Sequence, residues 1–502
     1  MNFIFISPQF PRTYWNFCDR LKQNGVNVLG IVDTPYDALE DVLNNSLTEY
    51  YYLPNMENFD EMYRAVAFYA FKYGRIDWIE SNNEYWLETD ARLRTDFHVT
   101  TGIQEDQIRF FKSKADMKIK YEEGGVPTAR CHRVGSFEDL QAFIELVGYP
   151  VIAKPENGVG AADTYKIEND EELKAFYETR HGEYVCEQFI TGDIVSYDAI
   201  IDANCEPLFE SMTAWPPSIA DIVNKDLDLA YYVCKDVPEK LRKLGRQTVK
   251  SFHAANRFVH LEFFKLSKAH KGLGKKGDYV ALEVNMRPAG GYTPDMMNYA
   301  HSLDVYQIWA DMVTVGKRLV PEPEKEYFCV YAGRKDSKEY VHTHEEILEK
   351  YGADTARLFI LFAAPPEREL DWSDSGVEGS FRFINRVWRI IWHYKDVVAQ
   401  KVTSYDAAGL DEADKELRRA LNASIKKVTE DVEQRFNFNT AISSLMELVN
   451  AMYAYKDGKK EYNAGLVNET VKDLLLLLAP FVPHVTEELW HGVIDEDRKS
   501  VV

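Results

Sequence analysis

Residues that could hold a metal–nucleotide complex stand together near position 283. The carboxylate Glu283, the amide Asn285 and the guanidinium Arg287 alternate at the end of an apolar run, and Glu262 follows an earlier one. Alternation predicts that Glu283, Asn285 and Arg287 lie on one face of a strand. Mg²⁺ prefers oxygen ligands, usually one or two carboxylates together with the phosphates of a substrate. A surface strand with solvated charges is the alternative interpretation of this triplet alone.

A lysine and a loop of small residues follow another apolar run. Lys154 ends the strand-like segment 149–154, and Gly158 and Gly160 lie just after it. Glycine lets backbone N–H groups approach an anion, and lysine supplies a compact charge for phosphates. The loop is neither a Walker A loop, because no GK[ST] follows, nor a GxGxxG fingerprint. Taken alone, the loop is better explained by an ordinary turn than by a phosphate cradle.

Four further residues carry chemistry only in combination. Lys114 lies in a charged helical stretch, where by itself it is better explained as a solvated charge. Glu187 and the backbone at Ile190 could meet the edge of an adenine, with Asp193 near a ribose. Each of these motifs is weak when taken singly.

The elements that must position these residues alternate in type up to about residue 345. Such alternation favours a parallel α/β sheet at the N-terminus. Strands are predicted at Asn2–Ser7, Val26–Val32, Ile76–Glu80, Val151–Lys154, Tyr184–Gln188, Ile194–Ile201 and Ala281–Asn285. Helices are predicted at Trp15–Gln23, Lys114–Gly124, Glu171–Tyr177 and Val305–Lys317, with a loop at Pro288–Pro294.

The pattern changes at about residue 350. Apolar residues then recur three and four positions apart, which is typical of an all-α helical bundle. Long helices are predicted at Phe381–Lys395, Glu412–Phe436, Thr440–Tyr455 and Val467–Ala479.

Composition limits the function classes. A chain of 502 residues is too long for one core, and its net charge of −22 argues against general nucleic-acid binding. The six cysteines are scattered without a zinc pattern, which favours a reduced cytoplasmic protein. The segment Met1–Ile6 is predicted to be a buried strand and not a signal peptide, and no apolar run is long enough to span a membrane.

In their order and spacing the motifs of residues 1 to about 345 resemble the ATP-grasp superfamily. The resemblance implies an N-terminal α/β domain at 1–110 and an ATP-grasp domain at 111–325, with a lid at about 125–190. It also implies ATP with Mg²⁺, or Mn²⁺, as cofactors. The implied reaction is activation of a small carboxylate by the γ-phosphate, followed by attack of an amine-type nucleophile. A pseudo-enzyme that binds ATP without turnover stays an alternative.

The same resemblance implies roles for single residues. The phosphates would be held by Lys114, Lys154 and the loop with Gly158 and Gly160. The adenine would meet Glu187 and Ile190, and the ribose Asp193. The metal ligands would be Glu262, Glu283 and Asn285, and Arg287 would stabilise the phosphoryl group or acyl phosphate. The basic insert Lys265–Lys276 departs from the family, and we expect it to form an extended hairpin.

Residues about 349–495 resemble a different family, bacterial-type leucyl-tRNA synthetase just after its catalytic domain. The strings that carry the resemblance are Glu349–Phe359, Trp372–Gly379, Phe438–Ile442 and Ala479–His484. It implies a tRNA-stem-binding helical bundle of the anticodon-binding type at 351–496, after a junction at 326–350. A HIGH-type sequence is missing, and Arg334–Lys338 is not a KMSKS loop. We therefore expect no aminoacylation.

Arginines in this region could contact tRNA. Arg382, Arg386 and Arg389 share one helical face and could meet phosphates, or they could form a solvated face. We expect weak tRNA binding by this part alone.

The junction itself suggests how the two halves came together. Residues 345–352 would suit either family, so a crossover there would leave no visible scar. We interpret the coding sequence as an assembly chimera, with a natural fusion as the alternative, and expect the tail 497–502 to be non-native. Amplification and long-read sequencing of the source DNA across codons 330–370 should therefore give two separate loci. One continuous product would establish a natural fusion.

Overall fold

The computed structural model describes residues 1–157, 163–216, 229–323, 325–333, 344–363, 374–435 and 437–494. They form two compact units that divide between Tyr331 and Ala332, apart from Leu229 and Ala230, which group with the second unit.

The first unit begins with a four-stranded parallel sheet. Its strands are β1 (Asn2–Ile6), β2 (Asn27–Val32), β3 (Glu49–Tyr52) and β4 (Trp78–Glu80), in the order β3-β2-β1-β4. The helices of this part are Trp15–Gln23, Asp41–Ser46, Phe59–Tyr73 and Leu87–Asp96, with short 3₁₀ turns at Arg12–Tyr14, Tyr36–Ala38 and Glu105–Gln107. Strands β1 and β2 are almost wholly buried, as near-continuous apolar runs in a parallel sheet should be. The predicted parallel α/β sheet is confirmed.

A small antiparallel sheet follows. Its strands are β5 (Cys131–Arg133), β6 (Val151–Pro155), β7 (Tyr165–Ile167) and β8 (Tyr184–Gln188), in the order β5-β8-β6-β7. Helices Phe137–Val147 and Asp170–Thr179 pack on it through a small apolar core that includes Leu140, Val151 and Leu173. Both helices have side-chain N-caps, since Ser136 and Asn169 each accept a backbone N–H three residues on.

The largest sheet completes the first unit. Its strands are β9 (Gly192–Ile201), β10 (Pro207–Trp215), β11 (Leu229–Cys234), β12 (Arg257–Leu266), β13 (Tyr279–Asn285) and β14 (Cys329–Gly333), in the order β13-β12-β9-β10-β11-β14. The remaining helices of the unit are Arg109–Lys112, Lys114–Glu123, Glu239–Ser251, Thr293–His301 and Val305–Val315. Gly245 lets helix Glu239–Ser251 lie close to the sheet, because a Cβ there would stand 2.4 Å from the ring of Tyr197. The loop predicted at Pro288–Pro294 is wrong at its end, since a helix begins at Thr293 with Pro294 in its first turn.

The second unit is helical. Its helices are His344–Tyr351, Ala353–Ala363, Asp374–His393, Lys395–Val398, Glu412–Glu430, Phe438–Gly458, Ala464–Leu478 and Pro483–Leu489, with a 3₁₀ turn at Ala407–Gly409 and π-helical turns at Asp431–Arg435 and Trp490–Ile494. One apolar cluster joins most of them, and it contains the predicted stripe Ala441, Leu445, Leu448 and Met452. The predicted bundle is confirmed. The predicted helix 412–436 is too long, because the regular helix ends at Glu430.

Two expectations from composition concern membrane-spanning helices and the state of the cysteines. In that part of the chain no helix has both the length and the apolar character that crossing a membrane requires. Cys18, Cys131, Cys186, Cys205 and Cys234 are free thiols, in agreement with a reduced protein.

Candidate nucleotide and metal site

A buried carboxylate lies between two lysines on the small sheet. Glu187 on β8 contacts Lys154 on neighbouring β6, with 2.7 Å between Oε2 and Nζ. Its other oxygen, Oε1, lies 3.1 Å from Nζ of Lys118 in helix Lys114–Glu123. Lys118 was missed in the sequence, although its spacing of four from Lys114 places both lysines on one helical face.

The charges of this cluster follow from burial and pairing. Burial would raise the pKa of Glu187, but Lys118 and Lys154 outweigh it and hold the pKa at about 2. Burial would lower the pKa of Lys154, and the charges of Glu187 and Glu283 raise it above its ordinary value. Burial lowers the pKa of Lys114 despite the opposing charge of Glu283. The cluster therefore holds two buried lysines, Lys114 and Lys118, and the partly buried Lys154 near one ionised carboxylate.

Two carboxylates face each other on the large sheet. Glu262 on β12 and Glu283 on β13 are direct cross-strand partners, and Asn285 is paired with His260 two positions along. Burial and the charge of Glu262 raise the pKa of Glu283. Burial also acts to raise the pKa of Glu262, but His260 and then Arg287 outweigh it and lower that pKa. Like charges directly opposite each other are unfavourable unless a cation lies between or beside them.

The donor set fits a hard divalent cation. Glu262, Glu283 and Asn285 carry side-chain oxygens at neighbouring strand positions. No group of three or more His, Cys, Asp or Glu side chains suited to a metal occurs among the residues that the structure describes. Mg²⁺ takes few ligands from the protein where nucleotide phosphates complete its coordination.

A histidine supports the first carboxylate. Nδ1 of His260 lies 2.6 Å from Oδ1 of Asp198, and Nε2 lies 3.3 Å from Oε1 of Glu262. Asp198 is fully buried and also accepts hydrogen bonds from Ser196 and Thr213. Burial would lower the pKa of His260, but Asp198 and Glu262 raise it to about 9. The sequence offered one signal for this residue, since His260 precedes Glu262 by two on the same strand face.

Arg287 does not lie on the strand that was predicted to carry it. Strand β13 ends at Asn285, and the Arg287 guanidinium donates to the Pro288 carbonyl at 2.8 Å. The alternation argument therefore holds for Glu283 and Asn285 only. The positive charge of Arg287 still influences the site electrostatically, because it helps to lower the pKa of Glu262.

Buried arginines anchor the turn that carries Arg287. Arg257 donates to the Met286 carbonyl at 3.0 Å and to Oε2 of Glu80 at 3.0 Å. Arg94 donates to the same Glu80 oxygen at 2.9 Å. All three side chains are at most 3% exposed. The network joins the end of β4 to the end of β13, and sequence motifs gave no sign of it.

The remaining predicted residues are spread more widely. Ile190 follows β8 and is buried with Ala129, Leu266 and Val280. Asp193 is exposed near the start of β9, opposite Lys265. Gly158 and Gly160 lie outside the described residues.

The basic insert forms the predicted hairpin between β12 and β13. A bridge pairs His270 with Gly274 near its tip. Nε2 of His270 accepts the N–H of Thr191 at 3.1 Å, directly after Ile190. The insert therefore holds the backbone of the segment expected to meet the adenine.

The lysine pair around Glu187 predicts a pH-dependent stability. Glu187→Gln leaves two buried ammonium groups without a carboxylate and should lower the free energy of unfolding by about 3 kcal/mol at pH 7. The folded-state pKa of Glu187, about 2, lies below the usual value of about 4.3, so its stabilisation is present above pH 4.3 and is lost as pH falls toward 2. Urea unfolding should show the difference narrowing as the pH falls from about 4.3 to about 2. The exposed Glu171→Gln serves as the control, and equal stability of both variants at pH 7 would contradict the ion cluster.

Comparisons with known proteins separate the two halves. The family model described as anticodon-binding domain of tRNA ligase matches residues 414–502. Leucine–tRNA ligase of Geotalea daltonii (strain DSM 22248 / JCM 15807 / FRC-32) is 50% identical over 162 residues, which is 32% of this chain and 20% of that protein. Leucine–tRNA ligase of Geotalea uraniireducens (strain Rf4) is 51% identical over 154 residues, 31% of this chain and 19% of that protein. The chain thus spans about a fifth of the length of these curated relatives.

Solved structures resemble the other part of the chain. Phosphoribosylglycinamide synthetase from Anaerococcus prevotii has a TM-score of 0.50 and 16% identity, covering 66% of this chain and 79% of its own. The biotin carboxylase domain of Hydrogenobacter thermophilus 2-oxoglutarate carboxylase, in complex with MgADP, ADP and bicarbonate, has a TM-score of 0.51 and 16% identity, covering 65% and 73%. The N-terminal part therefore has the ATP-grasp α/β fold, and the C-terminal part is helical, as both resemblances implied.

Proposed function

We propose that the ATP-grasp part is an ATP- and Mg²⁺-dependent ligase that activates a carboxylate and joins it to an amine-type nucleophile. One observation carries the proposal, namely the facing pair Glu262 and Glu283, whose pKa values are influenced by Lys114, Lys154 and Arg287. The fold supports it, since a neighbour with the same fold is described in complex with MgADP.

The proposed nucleotide contacts start from the lysine cluster. Lys114 and Lys154 would bind phosphates, together with the backbone at Gly158 and Gly160. Glu187 and the backbone at Ile190 would meet the adenine, although the adenine must then compete with Lys118 and Lys154 for the Glu187 carboxylate. Asp193 would meet the ribose, and its exposure leaves it accessible.

The proposed chemistry has two steps. An oxygen of the substrate carboxylate attacks the γ-phosphorus, and the bond between the γ-phosphorus and the β-phosphate oxygen breaks. ADP is the leaving group, and the substrate becomes an acyl phosphate. The amine then attacks the acyl carbon, phosphate leaves, and the amine loses a proton. Arg287 would stabilise negative charge on the phosphoryl oxygens in both steps. Mg²⁺ or Mn²⁺, when bound by Glu262, Glu283 and Asn285, would neutralise the nucleotide phosphates.

Glu283→Gln tests this site. The variant should reduce Mg²⁺-dependent ADP release by about 100-fold or more, because loss of a metal ligand should cost at least as much as loss of a group behind one. The melting temperature should not fall, since the repulsion between positions 262 and 283 is removed. ADP release is measured with a panel of small carboxylic acids and hydroxylamine as the trapping nucleophile. The exposed Glu239→Gln is the control, and wild-type turnover by Glu283→Gln would remove Glu283 from the metal site.

For the helical part we propose a tRNA-binding module without aminoacylation activity. The match of residues 414–502 to an anticodon-binding domain supports this second candidate. Of the predicted arginine face, Arg386 donates to Asn450 at 2.6 Å and stacks on Tyr453, whereas Arg382 and Arg389 are exposed. Two exposed arginines supply few phosphate contacts, so the affinity should be weak.

Filter binding of the full chain to total tRNA tests the second candidate. We expect retention at about 50 mM salt that is lost by about 200 mM, because a few phosphate contacts give a salt-sensitive affinity. Replacing both Arg382 and Arg389 by Ala should weaken retention at low salt, whereas the exposed Lys426→Ala should not. Tight binding at physiological salt would contradict the weak-module proposal.

A further inference from the structure

The carboxyl ends of β1 and β4 carry buried polar atoms without a hydrogen-bond partner. These two strands are neighbours in the N-terminal sheet. The atoms are Oε1 of Gln9, both amide atoms of Asn82 and Oε2 of Glu84. None of them contacts solvent, so bulk water does not compensate them. A buried polar atom without a partner is unfavourable, and a group of them at one sheet edge indicates a function.

The backbone at these positions is strained as well. Ser7, just after β1, has φ 55°, and Asn82, just after β4, has φ 53°. Left-handed φ values in residues other than glycine persist where the surroundings impose them, often at ligand sites. At Asn82 the Tyr14 hydroxyl donates to the backbone carbonyl at 2.7 Å, and the backbone N–H donates to Glu80 at 3.3 Å. The backbone of Asn82 is therefore fixed from both sides while its amide has no partner.

This strand end lies close to the proposed chemistry. Glu80 accepts the N–H of Asn82 through Oε1 and the Arg257 guanidinium through Oε2, and Arg257 also donates to the carbonyl of Met286, directly before Arg287. Burial raises the pKa of Tyr14, and the strongest opposing influence is the charge of Arg287. Open α/β sheets bind ligands outside the carboxyl ends of their strands. Asn82 is thus connected through Glu80 and Arg257 to the turn before Arg287, the residue proposed to stabilise the phosphoryl group, and Glu84 follows Asn82 by two residues.

We propose that Asn82 and Glu84 bind the protonated primary amine of a small-molecule substrate, an inference that rests on the function proposed above. An ammonium group has three N–H donors and no acceptor, which matches the acceptor oxygens of Glu84 and Asn82. The carboxylate adds a charge-assisted hydrogen bond. Oε1 of Glu84 already lies 3.5 Å from Lys112, so Oε2 remains for the ligand. Rotation of the two side chains presents them to the substrate.

The amide nitrogen of Asn82 narrows the substrate class. It is a donor and requires an acceptor oxygen beside the amine. An acid that carries an amino group offers both, and so does an attacking amine next to the activated carboxylate, provided that its ammonium form first transfers one proton to the Glu84 carboxylate. The amine therefore belongs either to the acid that is activated or to the nucleophile.

The experiment measures ADP release and hydroxamate formation by the full chain with MgATP and hydroxylamine. Amino acids are compared with the same acids lacking the amino group, and a second series pairs acids with primary amines in place of hydroxylamine. The variants are Glu84→Gln and Asn82→Gly, which keeps the left-handed backbone but removes the amide. The control is Glu88→Gln, an exposed carboxylate four residues further on. Calorimetric MgATP titration of each variant reports whether the nucleotide site is intact.

If the amine is on the acid, hydroxamate should form at least 10-fold faster with amino acids than with their analogues, and Glu84→Gln and Asn82→Gly should each abolish that preference. If the amine is the nucleophile, both variants should lose at least 10-fold in amine ligation while hydroxylamine trapping is unchanged. Equal rates with and without an amine, unchanged by either variant, would overturn this inference but leave the ligase proposal standing. MgATP binding without ADP release for any acid would overturn the ligase proposal itself, and this inference with it.

Discussion

The facing carboxylates of Glu262 and Glu283 impose the constraint on which the rest of the site depends. They are direct partners on β12 and β13, where two like charges destabilise a sheet. The surrounding basic groups offset that negative charge. His260, itself fixed by Asp198, contacts Glu262, and Arg287 lowers the pKa of the same carboxylate. The charges of Lys114 and Lys154 oppose the upward shift of the Glu283 pKa. A protein that needed only stability would place apolar residues at these positions, and the metal ion proposed above would offset the repulsion between the two carboxylates.

A second buried interaction connects this pair with the N-terminal sheet. Glu80, at the end of β4, accepts hydrogen bonds from Arg94 and Arg257, and Arg257 also holds the Met286 carbonyl. Burial would raise the pKa of Glu80, but the two arginines outweigh it and lower the pKa. Removing either partner would leave an uncompensated buried charge. The same carboxylate accepts the N–H of Asn82 through its other oxygen. One residue therefore fixes both the turn before Arg287 and the strained strand end, so the end of β13 and the segment after β4 are positioned together.

The periodicity of apolar residues predicted many of the helices and strands, and the types and spacing of polar residues predicted part of the candidate site. Helix Trp15–Gln23 and strand Tyr184–Gln188 have the predicted bounds, because their apolar spacing is regular and buried on the expected face. Arg287 was misplaced, since alternation does not show where a strand ends. Lys118, Asp198 and Arg257 could not be found from motifs, because their partners lie on other elements: the Lys118 partner is 69 positions away, and the Asp198 and Arg257 partners are 62 and 177 positions away. Long-range pairing of buried charges is decided by tertiary packing, which local sequence does not encode.

The functions proposed for the two halves of the chain rest on different kinds of observation. In the ATP-grasp part, sequence identity to the solved structures is 16%, so the proposed ligase rests on the charged groups that the fold brings together. In the helical part, identity to leucine–tRNA ligases is 50%, yet only about a fifth of those proteins is spanned. The bundle builds its apolar core from residues 358–494, whereas the cores of the ATP-grasp part draw on residues before 331. Each of these clusters takes its described residues from one part of the chain. The chemistry of residues up to about 325 can therefore be judged from Glu262, Glu283 and their neighbours, whichever origin the junction proves to have.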